Sequence, residues 1–154
     1  MNALVIMCGL PGSGKSTYAK KLLELHPDWH YVSRDEVRYE YVNDKEHYFD
    51  HEDEVYREFC NRIDMYLLTG ETVIADATHL NMSSRNKLIN NLSARGYEKI
   101  VVIMTTPFEE CMKRNAAREG ITRVPDQAMY NMKRSFKVPN PYTEDFNKIL
   151  TVKG

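Results

Sequence analysis

The sequence predicts an α/β fold: a mostly parallel central sheet with helices on both faces and a helical lid. Two observations carry this. Short apolar, partly β-branched runs alternate with stretches of helical periodicity, in the order β-α-β-α-α-β-α-β-α-lid-α-β. The first run, Ala3 to Met7, leads directly into Gly9-Leu10-Pro11-Gly12-Ser13-Gly14-Lys15-Ser16, which matches G-x-x-x-x-G-K-[ST], the phosphate-cradling P-loop. A chain of 154 residues fits one domain over 1–154, large enough for a proper core.

Taken in order, the first strand and the glycine loop are followed by a helix with Tyr18, Leu22 and Leu25 on one stripe. Strand, glycine loop and helix form the context the motif requires. Gly12 and Gly14 let the backbone turn tightly and aim N–H groups, with that of Ser13, at phosphate oxygens. The helix N-terminus adds partial positive charge. Lys15 is expected to reach the β- and γ-phosphates, and the Ser16 hydroxyl to hold Mg²⁺.

His26-Pro27-Asp28 breaks the helix, and His30 to Ser33 reads as a second strand. Ser33 is a candidate N-cap with Glu36 three residues on. Polar residues at the carboxyl end of such a strand face the ligand crevice of an open α/β sheet, which places Arg34 and Asp35 there. From about Asp44 to Leu68 the pattern is helical, with Val55, Phe59, Ile63, Tyr66 and Leu67 inward and Gly70 as the stop. His47 and His51 are four apart, but without an obvious third ligand a solvated acidic face is the simpler reading.

Thr72 to Asp76 is an apolar strand ending in an acid, a Walker-B arrangement in which the carboxylate approaches Mg²⁺. After a polar loop, Ser83 or Ser84 is expected to cap a helix carrying Leu88, Ile89 and Leu92, ended by Gly96. Glu98 to Met104 is another strand. Pro107 opens a helix on which Arg114 and Arg118, four apart, share a face. Gly120 to Pro125 reads as a mobile connection. Asp126 to Lys137 is a helix with Met129 and Met132 inside, and Ile149 to Val152 a last strand.

Charge and composition narrow the classes. The net charge of −1 gives no global signal for nucleic acid. The charge is uneven, however: eleven Asp/Glu against four Lys/Arg from Asp35 to Asp64, and eleven Lys/Arg against five Asp/Glu from Arg85 to Lys137. The second half therefore offers a basic face to phosphates, or simply a solvated helix surface. Three scattered cysteines form no disulfide or zinc pattern. There is no signal peptide and no membrane-length apolar run, so a cytoplasmic protein is the simplest reading. Asp76-Ala77-Thr78-His79 is not D-x-x-G, and Asn86-Lys87-Leu88-Ile89 lacks the final acid of N-K-x-D, which argues against a switch GTPase. An arginine-bearing helix and a lid suit a kinase, because closure excludes water and brings arginines to the transferred phosphoryl group.

The chain resembles the 5′-kinase domain of phage-type polynucleotide kinases. The similar stretches are Gly12 to Thr17; Arg34-Asp35 with Arg38; Asp76 through Asn81 with Arg85; and Lys113-Arg114-Asn115 with Arg118 and Val124-Pro125. They run in the family's order over nearly the whole chain. The resemblance implies that ATP (or another NTP) with Mg²⁺ phosphorylates the 5′-hydroxyl end of DNA or RNA. Asp35 would be the general base, and Arg38 would hold the phosphodiester between the acceptor's first two nucleosides. Lys15 and Arg118 would bind the β- and γ-phosphates, with Arg114 as a second lid arginine. Thr17 would support the α-phosphate, and Asp76 would sit near the metal or acceptor. The loop Thr78-His79-Leu80-Asn81 is one residue longer than the phage pattern. No D-x-D-x-T phosphatase signature appears.

Each residue also has a plainer reading. Asp35 at a helix start stabilises the dipole, Arg38 pairs with a Glu of the acidic helix, and the lid arginines solvate a helix end. A kinase acting on a small alcohol (a nucleoside, sugar or antibiotic) keeps Lys15, Ser16, Asp35 and Arg118 in the same roles and makes Arg38 incidental.

Overall fold

A computed structural model describes residues 1–154. Five strands form one sheet: β1 (Ala3–Cys8), β2 (His30–Ser33), β3 (Val73–Asp76), β4 (Glu98–Met104) and β5 (Lys148–Val152), in the order β2-β3-β1-β4-β5. Every pairing is parallel. The helices are α1 (Lys15–Leu25), α2 (Arg34–Tyr39), α3 (Glu52–Leu68), α4 (Met82–Asn90), α5 (Phe108–Ala116) and α6 (Asp126–Ser135).

Strand pleating sends alternate residues to opposite faces, so a parallel sheet covered on both sides must be apolar throughout. Leu4, Ile6 and Cys8 face one way and join Val73, Ala75, Val101 and Ile103 under α2, α3 and α4. Val5 and Met7 face the other way and join Ile74, Val102 and Met104 over Ala19 of α1. A third, smaller cluster of Leu10, Cys111, Val124 and Met129 seats α5 and α6 beside the phosphate loop.

The register aligns the carboxyl ends. Ser33 pairs with Asp76, Ala75 with Ile6, and Cys8 with Ile103. The segments leaving β1, β2 and β3 therefore emerge at one edge of the sheet, where β1 is flanked on either side by strands from later in the chain.

Several expected boundaries move for local reasons. The acidic helix starts at Glu52, not near Asp44, because the Asp44 carboxylate accepts the His47 N–H and closes a separate turn. His47 and His51 thus do not share a helix face; they pair with Asp44 and Glu54, respectively. Asn81, not Ser83 or Ser84, caps α4, through a reciprocal capping box with Ser84. That helix ends at Asn90, and Gly96, at φ 80°, instead shapes the turn into β4. On α1, Leu25 is exposed; Ala19 is buried, with Tyr18, Leu22 and Leu23 packed beside it. No helix is long and apolar enough to cross a membrane.

Candidate active site

The phosphate loop spans the gap between β1 and α1. Gly12 (φ 81°) and Gly14 (φ 95°) sit in the left-handed region, and a Cβ at Gly12 would lie 2.7 Å from the Cys111 carbonyl oxygen. Only glycine lets the loop pass this close to α5. Gly14 precedes the first residue of α1, so the first N–H groups of that helix have no intrahelical partner and point into the loop. Ser13 is buried, and its Oγ has no hydrogen-bond partner. Its carbonyl accepts the Thr106 hydroxyl at 2.7 Å, which ties the loop to the end of β4. Lys15 Nζ donates to the Leu10 carbonyl at 3.1 Å, folding back over the loop.

Asp76 stands at the end of β3, directly across from Ser16. Its Oδ2 accepts the Ser16 hydroxyl at 2.9 Å and the Tyr31 hydroxyl at 2.5 Å. Burial, then the Asp76 charge and hydrogen bond, push the Tyr31 phenol above its ordinary value, so it stays a donor to Asp76. The Ser16–Asp76 pair is a set of hard oxygen donors beside the phosphate loop. Mg²⁺ takes few oxygens from protein and the rest from phosphate and water, and this donor set fits it. Nowhere do three His, Cys, Asp or Glu side chains gather as a self-sufficient metal cage.

The segment after β2 supplies the opposite wall. Ser33 caps α2 by accepting the Glu36 N–H at 3.2 Å, which fixes Arg34 and Asp35 in the first turn. The Asp35 carboxylate is half exposed into the cleft and contacts Arg38 one turn on. Arg38 is almost wholly buried. Its Nε and Nη2 grip both oxygens of Glu52 at 2.8 Å each, and its Nη1 also donates to the Tyr48 hydroxyl at 3.1 Å. Burial opposes the Arg38 charge, but the Glu52 hydrogen bonds and the neighbouring Tyr48 and Asp35 hold its proton more firmly than usual. Glu52 also accepts from Arg34 at 3.2 Å.

The third wall is the lid. Arg114 donates to the Gly12 carbonyl at 3.2 Å and to Glu110 at 3.2 Å. The helix ends at Ala116, so Arg118 does not share its face as the four-residue spacing implied. The chain turns after Ala117, and Arg118 reaches the central cleft from the connection. The far end of that connection is tied down: the buried Asn115 amide accepts the Val124 N–H at 3.0 Å and donates to its carbonyl at 2.7 Å, after one 3₁₀ turn at Gly120–Thr122.

These walls enclose three clefts in a row. The central one, about 300 Å³, is lined by Gly12, Gly14, Lys15, Ser16, Thr17, Arg34, Asp35, Arg38, Asp76 and Arg118. The structure thus gathers nearly all the residues singled out from sequence; Ser13, within the loop, is buried and donates its N–H to the Leu10 carbonyl at 3.1 Å. On one side a cleft of about 420 Å³ shares Gly12, Gly14, Thr17 and Arg118 with the centre and adds Lys21, Arg114 and Lys153. On the other, a cleft of about 260 Å³ shares Arg34, Ala77 and Thr78. Tyr48 and Tyr31 escaped sequence reasoning, and Glu52 was reached only as an unnamed glutamate: the plainer reading, in which Arg38 pairs with a Glu of the acidic helix, holds in this structure. Glu52 sits fourteen residues from Arg38, beyond any helical spacing, and only the fold of the intervening turn brings it in.

The family described as an AAA domain matches residues 4–139. The L-seryl-tRNA(Sec) kinase of Methanococcus maripaludis is 28% identical over 141 residues, covering 88% of this chain and 53% of that protein. The chain therefore spans about half the length of this curated relative. A chain of the Pnkp1/Rnl/Hen1 complex is 26% identical, with a TM-score of 0.65 over 73% of this chain and 38% of that one. Chaetomium thermophilum Kti12, solved with ADP-AlF3, superposes with a TM-score of 0.74 at 20% identity, over 97% of this chain and 88% of the other.

Proposed function

The chain belongs to the AAA-domain family and has a P-loop kinase fold, and from that premise we propose that it transfers the γ-phosphoryl group of ATP to the 5′-hydroxyl end of DNA or RNA. The observation that carries this reading is the single cleft in which Asp35 faces the Lys15–Ser16–Asp76 side of the phosphate loop, with Arg34 and Arg38 beside it. ATP lies with its phosphates on the loop and its nucleoside toward the cleft of Thr17, Lys21 and Arg114. Lys15, released from the Leu10 carbonyl, and Arg118 take the β- and γ-phosphates. Thr17 supports the α-phosphate and Arg114 closes the lid.

Asp35 accepts the proton of the acceptor hydroxyl as its oxygen bonds to the γ-phosphorus, and the bond to the β–γ bridging oxygen breaks to release ADP. Ser16 and Asp76 would hold Mg²⁺, which when bound neutralises charge on the donor phosphates. Arg38 holds the acceptor's first phosphodiester and, through its contact with Asp35, orients the base. Similarity to a chain of the Pnkp1/Rnl/Hen1 complex supports a nucleic-acid acceptor.

One observation favours a second reading, a small-molecule alcohol such as a nucleoside, sugar or antibiotic. Four of the five Arg38 N–H groups already serve Asp35, Tyr48 and Glu52, which leaves one N–H for an acceptor phosphate, and a two-pronged grip must displace one of these contacts. An acceptor panel with γ-labelled ATP separates the two. Label on 5′-OH oligonucleotides supports the first reading, and label confined to free nucleosides or sugars overturns it.

A further inference from the structure

The third cleft has no part in the chemistry described above, yet it opens from the acceptor end of the central one through Arg34, Ala77 and Thr78. It lies between α3 and the start of α4, and its character differs from that of its neighbour. Asp35, Glu52 and Asp76 line the central cleft, whereas no carboxylate lines this one. Its charges are two cations, Arg34 and Lys87, both held over the Tyr56 ring: the Arg34 guanidinium carbon lies 4.9 Å from the ring centroid and Lys87 Nζ lies 4.4 Å.

Two like charges on one ring repel each other, and the ring quadrupole offsets this only in part. Of these two cations Glu52, already clamped by Arg38, reaches only Arg34, at its Nη2, and Arg34 Nε is buried with no partner. Nothing within the protein neutralises Lys87. Both cations line this one cleft, so an anion entering it would relieve this repulsion, and a phosphate oxygen pair suits a guanidinium together with an ammonium.

Resting on the polynucleotide-kinase reading of the central cleft, we propose that this cleft is a second phosphodiester subsite, in which Arg34 and Lys87 bind an acceptor phosphate downstream of the one assigned to Arg38. Arg34 is the hinge between the subsites, because it lines both clefts and adjoins Asp35. The acceptor strand runs from the hydroxyl at Asp35 past Arg34 and over the edge of Tyr56 to Lys87. A nucleoside or a nucleoside 3′-monophosphate is too short to occupy the site, and a tetranucleotide fills it. The cleft is thus a length sensor that favours polymeric acceptors.

The test compares two acceptors with γ-labelled ATP, a nucleoside 3′-monophosphate and a single-stranded 5′-OH tetranucleotide, on the wild-type chain and on Lys87→Ala, Lys87→Glu and Lys87→Arg. Lys87 is exposed and outside the phosphoryl-transfer machinery, so these variants fold and bind ATP normally. Lys87→Ala is expected to raise KM for the tetranucleotide about fivefold, the upper range for one exposed charge pair. It should lower the slope of log kcat/KM against log salt by about 0.7, as the loss of one phosphate contact on a single strand requires. Lys87→Glu should exceed both effects, Lys87→Arg should restore both, and KM for the monophosphate should stay constant throughout. Tetranucleotide KM and salt slope unchanged in Lys87→Ala and Lys87→Glu, with the wild type active on the tetranucleotide, overturn the subsite and leave the kinase assignment standing. A wild type that labels no tetranucleotide overturns both.

Discussion

His79 is buried, at 5% exposure, in a loop that follows Asp76, with a backbone φ of 43°. Its Nδ1 lies 2.7 Å from the Met7 carbonyl oxygen, which can only accept, so Nδ1 carries the proton. Nε2 is buried without a partner. Burial, reinforced by the charges of Arg34, Lys15 and Arg85, takes the imidazole from its ordinary 6.5 down to about 4. The sign of the stability effect follows. Between these two values the unfolded chain binds one proton more than the folded chain, so stability rises with pH in that window and is lost as pH falls from 6.5 toward 4. A gap of about 2.5 pH units corresponds to about 3 kcal/mol.

His79→Asn isolates the effect. Asparagine tolerates a positive φ, can still donate to Met7, and does not titrate. Urea unfolding of both proteins between about pH 7 and pH 4 should show the wild type losing about 3 kcal/mol more than the variant. Far-UV circular dichroism is the readout of choice, because it follows the backbone of the whole chain rather than the single Trp29. The lowered carboxyls of Glu144 and Asp64 contribute equally to both proteins and cancel in the difference. Parallel pH profiles for wild type and variant would refute the assignment of His79 as a buried neutral imidazole.

Asp35→Asn should retain ATP binding, measured with a fluorescent analogue, while phosphoryl transfer falls about 10²- to 10⁴-fold; undiminished turnover removes Asp35 from the mechanism. Glu144→Gln leaves the fully buried Arg85 with a neutral partner where it now holds two carboxylate oxygens at 2.8 and 3.0 Å. The expected cost is about 3 kcal/mol or more, a fall in Tm of about 10 °C by thermal denaturation. An unchanged Tm would mean that the buried pair is not holding Lys137 and the loop at His79, whose carbonyls Arg85 also binds, in place. Gly12→Ala forces a side chain to positive φ and against the Cys111 carbonyl, so ATP affinity should drop at least about tenfold; wild-type affinity would show that the loop relaxes without loss.

Much of this protein is local, and local features are legible in a linear chain. The phosphate loop is specified by glycines whose backbone freedom is intrinsic, and the central strands β1, β3 and β4 by apolar runs that burial on both faces explains. Asp76 and Asp35 were found because a strand-end acid and a capped helix start carry their own signals: Ser33 does accept the Glu36 N–H, and register places Ser33 across from Asp76. Spacing misled where it was extrapolated through a helix end, where the stripe on α1 ran on to the exposed Leu25, and where the helical pattern was carried back to Asp44. Arg114 and Arg118 are four residues apart, but the helix stops at Ala116, so both line the side cleft while only Arg118 also reaches the central one.

What tertiary structure alone decided is the company each charge keeps. Glu52 clamps Arg38 and Arg34 across a turn closed by Asp44, Tyr31 reaches Asp76 from a neighbouring strand, and Glu144 meets Arg85 across 59 residues. No periodicity announces such pairs, because an ion pair in a protein interior needs proximity in space and not in sequence. The sequence by itself determined that a phosphate-binding loop faces a carboxylate across the carboxyl edge of a parallel sheet. The fold determined which arginines beside that carboxylate are already bound, and which cation, Lys87, is left to meet a ligand.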